Sequence, residues 1–176
     1  MGINTTTLKF ILYAKREFDL DFSKTATLGR QSFQENYHKK KLIKKHSTTL
    51  SPPAFDKIFS NGYCEHLLEY LGAYKVDSFD YSDYENATYI VDMNKILSKE
   101  HKDKYTLLID SGTSEHVFNI PVIYKNMMDM VKIGGHIMIL VPATNWCGHG
   151  FYQFSPELFY SLLSLFRQHH DIARRV

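Results

Sequence analysis

The sequence predicts an α/β domain, a mainly parallel β-sheet with helices on both faces. Three observations carry this. Short apolar or β-branched segments alternate with segments of helical spacing along the 176 residues. Three of the short segments end in an acid, at Asp80, Asp92 and Asp110. Near-continuous apolar runs such as Leu107-Leu108-Ile109, bounded by turn residues, suit strands buried on both faces. The length suits one domain over residues 1–176, and 44% hydrophobic with 23% charged residues excludes wholesale disorder.

The elements follow in order. Within residues 1–20, Leu8, Ile11, Leu12 and Phe18 have the spacing of a helix over 5–18, with Thr5, Thr6 or Thr7 as its cap. Lys24 to Leu28 is β-branched, stops at Gly29, and is expected to be a strand. Residues 31–55 form an irregular basic insertion that contains His38-Lys39-Lys40-Lys41-Leu42-Ile43-Lys44-Lys45-His46 and breaks at Ser51-Pro52-Pro53. Ile58, Phe59, Tyr63, Leu67, Leu68 and Leu71 mark a helix from Asp56 to Leu71, with Gly72 as its C-terminal cap. Lys75–Asp80, Ala87–Asp92 and Tyr105–Asp110 are the next three strands. Residues 119–131 have helical spacing, with Pro121 in the first turn and Gly134-Gly135 as the terminator. His136–Val141 is a further strand, stopped by Pro142. Ser155-Pro156-Glu157 opens a last helix through about residue 168.

Composition closes off several classes. No apolar run approaches the about 20 residues of a membrane span, and the N-terminus lacks the basic-then-apolar pattern of a secretory signal. Cys64 and Cys147 form no CxxC pair, so no disulfide framework is expected and a reducing cytoplasm fits. Cys147, His149 and a third ligand have no recognised spacing, and no metal is expected. The net charge of +2 and the absence of aromatics within the basic run give no support to a nucleic-acid partner.

In a parallel sheet, ligands bind outside the carboxyl ends of the strands. That edge would hold Gly29-Arg30-Gln31, Asp80, Asp92-Met93-Asn94, Asp110-Ser111-Gly112 and Pro142-Ala143-Thr144. An ionised carboxylate accepts from both hydroxyls of a ribose, and another can accept from the amine of an adenine. Three sheet-end acids are what a nucleoside crevice needs; aspartates also end strands simply because they start turns.

The stretch Tyr105-Thr106-Leu107-Leu108-Ile109-Asp110-Ser111-Gly112-Thr113-Ser114-Glu115-His116-Val117-Phe118-Asn119, followed by a helix and Lys132-Ile133-Gly134-Gly135-His136, resembles class I S-adenosylmethionine-dependent methyltransferases. Their fourth strand leads into an EHV-type turn, then a helix, then an LKPGG-type turn before the fifth strand. The resemblance spans roughly residues 24–166 and implies a Rossmann-like sheet and S-adenosylmethionine as cofactor. Matched by position, it makes Asp80 the ribose acid and Asp92 the adenine acid with Met93 packed beside it. Asp110, Ser111 and Gly112 would line the methionine end.

Two departures stand out. Where the family has a glycine-rich loop, this chain has Thr27-Leu28-Gly29-Arg30-Gln31-Ser32-Phe33, with one glycine and no acid. Either Arg30 and Gln31 hold the methionine carboxylate instead, or cofactor binding is weakened or lost; a third role for Arg30 is a structural bridge to Asp110. The chain also stops just past the last helix, so the sheet is expected to lack the family's final strands and to self-associate through exposed surface. Beyond the fifth strand, Trp146-Cys147-Gly148-His149-Gly150-Phe151-Tyr152-Gln153-Phe154 is a substrate-facing aromatic loop. In it, His149 is the candidate base and Tyr152 the acceptor-orienting group. His116 is a second candidate for substrate contact, while Glu115 is expected only to cap a helix. Proteins similar around Cys147–Phe159 are often sugar-modifying enzymes, which implies a small-molecule, carbohydrate-linked acceptor methylated on oxygen or nitrogen. The alternative is a non-catalytic methyltransferase-like binding module.

Overall fold

In the computed structural model, which describes residues 2–47 and 50–162, five parallel strands form one sheet. They are β1 (Lys24–Leu28), β2 (Lys75–Asp80), β3 (Tyr89–Ile90), β4 (Tyr105–Ser111) and β5 (Val131–Leu140), in the order β3-β2-β1-β4-β5. Helices cover both faces, as expected from the alternation of periods, and the architecture is Rossmann-like. Side chains alternate across the strands, so neighbouring residues enter different cores. Leu107 and Ile109 pack with Ile11, Phe33, Leu67 and Leu68 on one face. Leu28 and Leu108 pack with Ile123, Met127 and Phe154 on the other, joined by Tyr105 from the start of β4, where the pairing with β5 is irregular.

α1 (Thr5–Phe18) buries Leu8, Ile11, Leu12 and Ala14. Its cap is Asn4, not one of the threonines: Asn4 Oδ1 accepts from the N–H groups of Thr6 and Thr7 at 2.8 and 2.9 Å. The segment 31–55 is more regular than expected. It holds α2 (Tyr37–His46) and α3 (Pro52–Lys57). Asn36 caps α2 through Lys39 N–H, Ile43 is its buried anchor, and Lys44, Lys45 and His46 lie at the end where cations suit the helix dipole. The single helix expected over 56–71 is instead split between α3 and α4 (Glu65–Tyr70), because the chain turns through Gly62 at φ 73°. After α4, Gly72 N–H bonds to Glu69 O and Ala73 N–H to Leu68 O, the Schellman closure, with Gly72 at φ 113°.

β3 is shorter than the expected 87–92. Ahead of it Ser78 and Thr88 exchange hydroxyl-to-backbone bonds in place of ladder bonds, Ser78 N–H to Thr88 Oγ1 and Thr88 N–H to Ser78 Oγ. α5 (Ile120–Met130) runs directly into β5, so Gly134-Gly135 does not terminate it. Those glycines instead absorb a shift in the β4–β5 register between the pairs Tyr105↔Val131 and Leu107↔His136. A Cβ on Gly135 would lie 2.8 Å from Thr106 O. Residues 156–162 are helical, and the expected continuation to 168 lies outside the described residues. β5 is an edge of the described sheet, and beside it runs an apolar cavity of about 710 Å³ lined by Phe10, Phe18, Met127, Ile137 and Tyr160. Among the described residues, no helix is long and apolar enough to cross a membrane.

Candidate functional site

The strand order turns around between β1 and β4, and the crevice of such a sheet opens at that point. β1 leaves the sheet at Gly29, whose φ of 68° suits glycine and whose N–H bonds to Phe79 O at 2.7 Å. Next along the edge come Asp80, at the end of β2, and Asp92, two residues beyond β3. On the other side of β1 stands Asp110, paired in register with Leu28. The sheet thereby brings Gly29, Asp80, Asp92 and Asp110 to its carboxyl edge.

Their surroundings differ. Asp80 Oδ1 accepts from Ser82 N–H at 3.1 Å. Asp92 Oδ1 accepts from both Asn94 N–H and Asn94 Nδ2, and these bonds hold its carboxyl below the usual range. Met93 is buried in the core beside it. Asp110 is fully buried. Its Oδ1 accepts from Thr113 and Ser114 N–H at 3.0 and 3.3 Å, while Oδ2 has no hydrogen-bond partner. Burial pushes its carboxyl up to about 6, against hydrogen bonds from Ser114 and Thr113 that pull it down.

The floor of the crevice is bridged. Gln31 Nε2 and Thr113 Oγ1 both donate to Leu28 O, at 2.5 and 2.7 Å. Gln31 is buried, with its Oε1 unpartnered. Arg30 does not pair with Asp110. Its Nε donates to Glu65 at 2.7 Å, one terminal nitrogen donates to Glu85 O at 2.8 Å, and the guanidinium lies 4.0 Å from the centre of the Tyr63 ring. Arg30 thus braces α4 against the loop after β2, and its planar fork is already in use.

A second group of residues gathers above β4 and β5. A cavity of about 660 Å³ is lined by Thr7, Ser111, Gly112, Glu115, Trp146 and His149, among others. Thr7 Oγ1 and Ser111 Oγ are 3.4 Å apart and close one side of it. The aromatic loop is clasped onto the turn after β4: Phe151 and Tyr152 N–H both donate to Glu115 O, at 2.7 and 3.2 Å. Gly150 makes the clasp feasible. Its φ is 74°, and a Cβ there would lie 2.8 Å from Glu115 O. His149 is thereby held beside Glu115, with Nε2 3.6 Å from Oε1. His116 meets the His149 ring edge-on at 4.9 Å between centres. Tyr152 Oη donates to Phe118 O at 2.8 Å and so anchors the loop.

The sequence-predicted site residues therefore fall into two groups. Asp80, Asp92, Met93, Gly29 and Gln31 belong to the β1–β3 edge, with Arg30 turned to Glu65. Ser111, Gly112 and His149 share the cavity, and His116 adjoins it. Glu115 is the residue that sequence reasoning undervalued. It is 1% exposed, Oε2 has no hydrogen-bond partner, and burial raises its carboxyl. Nothing in the local pattern distinguishes it from an ordinary turn acid, because its partner is 34 residues away. Burial, and next the neighbouring His149, lower the His116 imidazole. No family model, curated protein or solved structure matches the chain.

Proposed function

We propose that the protein transfers a methyl group from S-adenosylmethionine to an oxygen or nitrogen of a small, carbohydrate-linked acceptor. The observation that carries this is the parallel order β3-β2-β1-β4-β5, which lines up Asp92, Asp80, Gly29 and Asp110 along one carboxyl edge. The residues fit the cofactor's chemistry. Asp80 would accept from the ribose hydroxyls and Asp92 from the adenine amine. The unpartnered, buried Asp110 Oδ2 suits the ammonium at the methionine end. When bound, the cofactor supplies an electrophilic methyl on a sulfonium. The chain supplies alignment and the management of the acceptor's proton. Glu115, His116 and His149 are the groups for that second task, beside a cavity that adjoins Ser111 and Gly112. Exposed Trp146 and Phe151 offer apolar faces against which a sugar ring can lie.

The Gln31–Thr113 bridge across Leu28 O and the engaged Arg30 favour a second reading, a methyltransferase-like module that binds a partner without catalysis. Titrating S-adenosylhomocysteine into the protein by calorimetry separates the two. The methyltransferase reading expects saturable one-to-one binding that Asp80→Ala weakens, since a hydrogen bond to a charged group is worth about 1.5–3 kcal/mol. No heat of binding would leave the binding module.

A further inference from the structure

We propose that Glu115, His116 and His149 bind one divalent first-row transition-metal ion. One donor atom from each side chain lies within 4.8 Å of both others. Glu115 Oε1 and His149 Nε2 are 3.6 Å apart, too long for a hydrogen bond. That separation is close to the spacing of two ligands on one ion: bonds of about 2.0–2.2 Å at tetrahedral angles put neighbouring donors roughly 3.4 Å apart. Glu115 provides an independent observation. Its carboxylate is 1% exposed, and Oε2 has no hydrogen-bond donor facing it. A buried carboxylate in that state calls for a positive partner. Both imidazoles are exposed, so an ion has an entry path and the rings have room to turn onto it.

The donor set selects the metal class. Two imidazoles and one carboxylate suit zinc, cobalt, iron or manganese, whereas magnesium and calcium prefer oxygen throughout. Three protein ligands leave a coordination position open, and Glu115 and His149 line the cavity from which an acceptor can reach it. An acceptor hydroxyl bound there loses its proton to solvent; the O–H bond breaks and the oxygen keeps the electron pair as nucleophile. This catalytic role rests on the methyl-transfer reading, but ion binding does not. In the metal-bound protein His149 is a ligand rather than a base.

The test uses the whole chain, freed of metal by chelator dialysis and without cofactor. Cobalt(II) is titrated in and followed by visible absorption, and zinc is titrated by calorimetry. One equivalent is expected to bind, with ligand-field bands and no thiolate charge-transfer band. Glu115→Gln, His116→Ala and His149→Ala should each lower affinity by at least the roughly 10–100-fold typical of outer-shell changes at metal sites. His38→Ala, on the exposed face of α2, and Cys147→Ser, which removes the exposed nearby thiol, should leave affinity unchanged. Circular dichroism checks the fold of each variant, and the exposed His116 and His149 are decisive if Glu115→Gln does not fold. Absence of stoichiometric binding, binding indifferent to both histidine variants, or binding lost in Cys147→Ser would overturn the site. A parallel titration with S-adenosylhomocysteine separates the two proposals. Nucleoside binding without metal binding overturns only this site. Metal binding without nucleoside binding sustains the site and removes its catalytic role.

Discussion

Asp110 offers the sharpest link between structure and a measurable free energy. Its carboxyl is fully buried and pushed up from 3.8 to about 6, chiefly by loss of hydration. The folded state therefore binds this proton more tightly than the unfolded chain does. Protonation of Asp110 contributes stability that is fully present below pH 3.8 and is lost as pH rises to about 6. That rise from 3.8 to about 6 makes the ionised group cost on the order of 3 kcal/mol at neutral pH. Asp110→Asn keeps an oxygen for the Thr113 and Ser114 N–H groups and removes the charge. Urea unfolding of both proteins at pH 4, 5, 6, 7 and 8 gives the comparison. The stability of the asparagine variant relative to the parent should grow by roughly 2–2.5 kcal/mol between pH 4 and 7, then level off. A difference that is flat across this range would refute the account of Asp110 as a desolvated carboxyl. If S-adenosylhomocysteine binds, its ammonium should shrink the difference at neutral pH, because the charge then has a partner.

The other predictions follow from individual contacts. Arg30→Ala removes the ion pair to Glu65, the bond to Glu85 O and the stack on Tyr63, and should lower stability by about 1–2 kcal/mol in urea unfolding. Because its fork is engaged, the variant should weaken S-adenosylhomocysteine and methylthioadenosine equally in calorimetry; selective loss of the first would place Arg30 on the cofactor carboxylate. Asp92→Ala should cost less affinity against a nucleoside ligand lacking the adenine amine, and equal losses would contradict the adenine role. Gly150→Ala introduces a side chain at φ 74° and 2.8 Å from Glu115 O. It should lower stability by about 1–3 kcal/mol and weaken cobalt binding although it is no ligand; an unchanged cobalt titration would show that the clasp does not position His149. The β5 edge and the apolar cavity beside it should give concentration-dependent self-association in light scattering, and a constant monomer mass across a wide concentration range would contradict that.

Much of the fold was legible in the sequence because local forces act over neighbouring residues. The β-branched run at 24–28, the apolar run at 105–110 and the helical stripe at 5–18 each carry their own period, and the α/β alternation follows from them. The Schellman glycine at 72 was readable for the same reason. Local signals failed where they competed. The lysines of 39–45 suggested irregularity, yet a helix forms with Asn36 as its cap and Ile43 buried, because Lys44 and Lys45 lie at the favourable end and the one buried lysine, Lys39, donates to Gln34 O at 2.8 Å. Gly134-Gly135 looked like a helix terminator, yet serves a register shift that depends on Thr106 of another strand.

The sequence by itself determined that Asp80, Asp92 and Asp110 would stand at or near strand ends, because each lies where a segment of strand character meets turn residues. Only the tertiary structure decided their neighbours. Strand order set Asp80 and Asp110 on either side of Gly29, and that order depends on pairings between residues about 50 to 80 positions apart. The same holds for Glu115. Its burial, its lack of a hydrogen-bond donor for Oε2 and its meeting with His149 arise because the loop after β5 folds back onto the turn after β4. Burial and charge partnership are properties of the packed molecule, and no spacing within either segment encodes them.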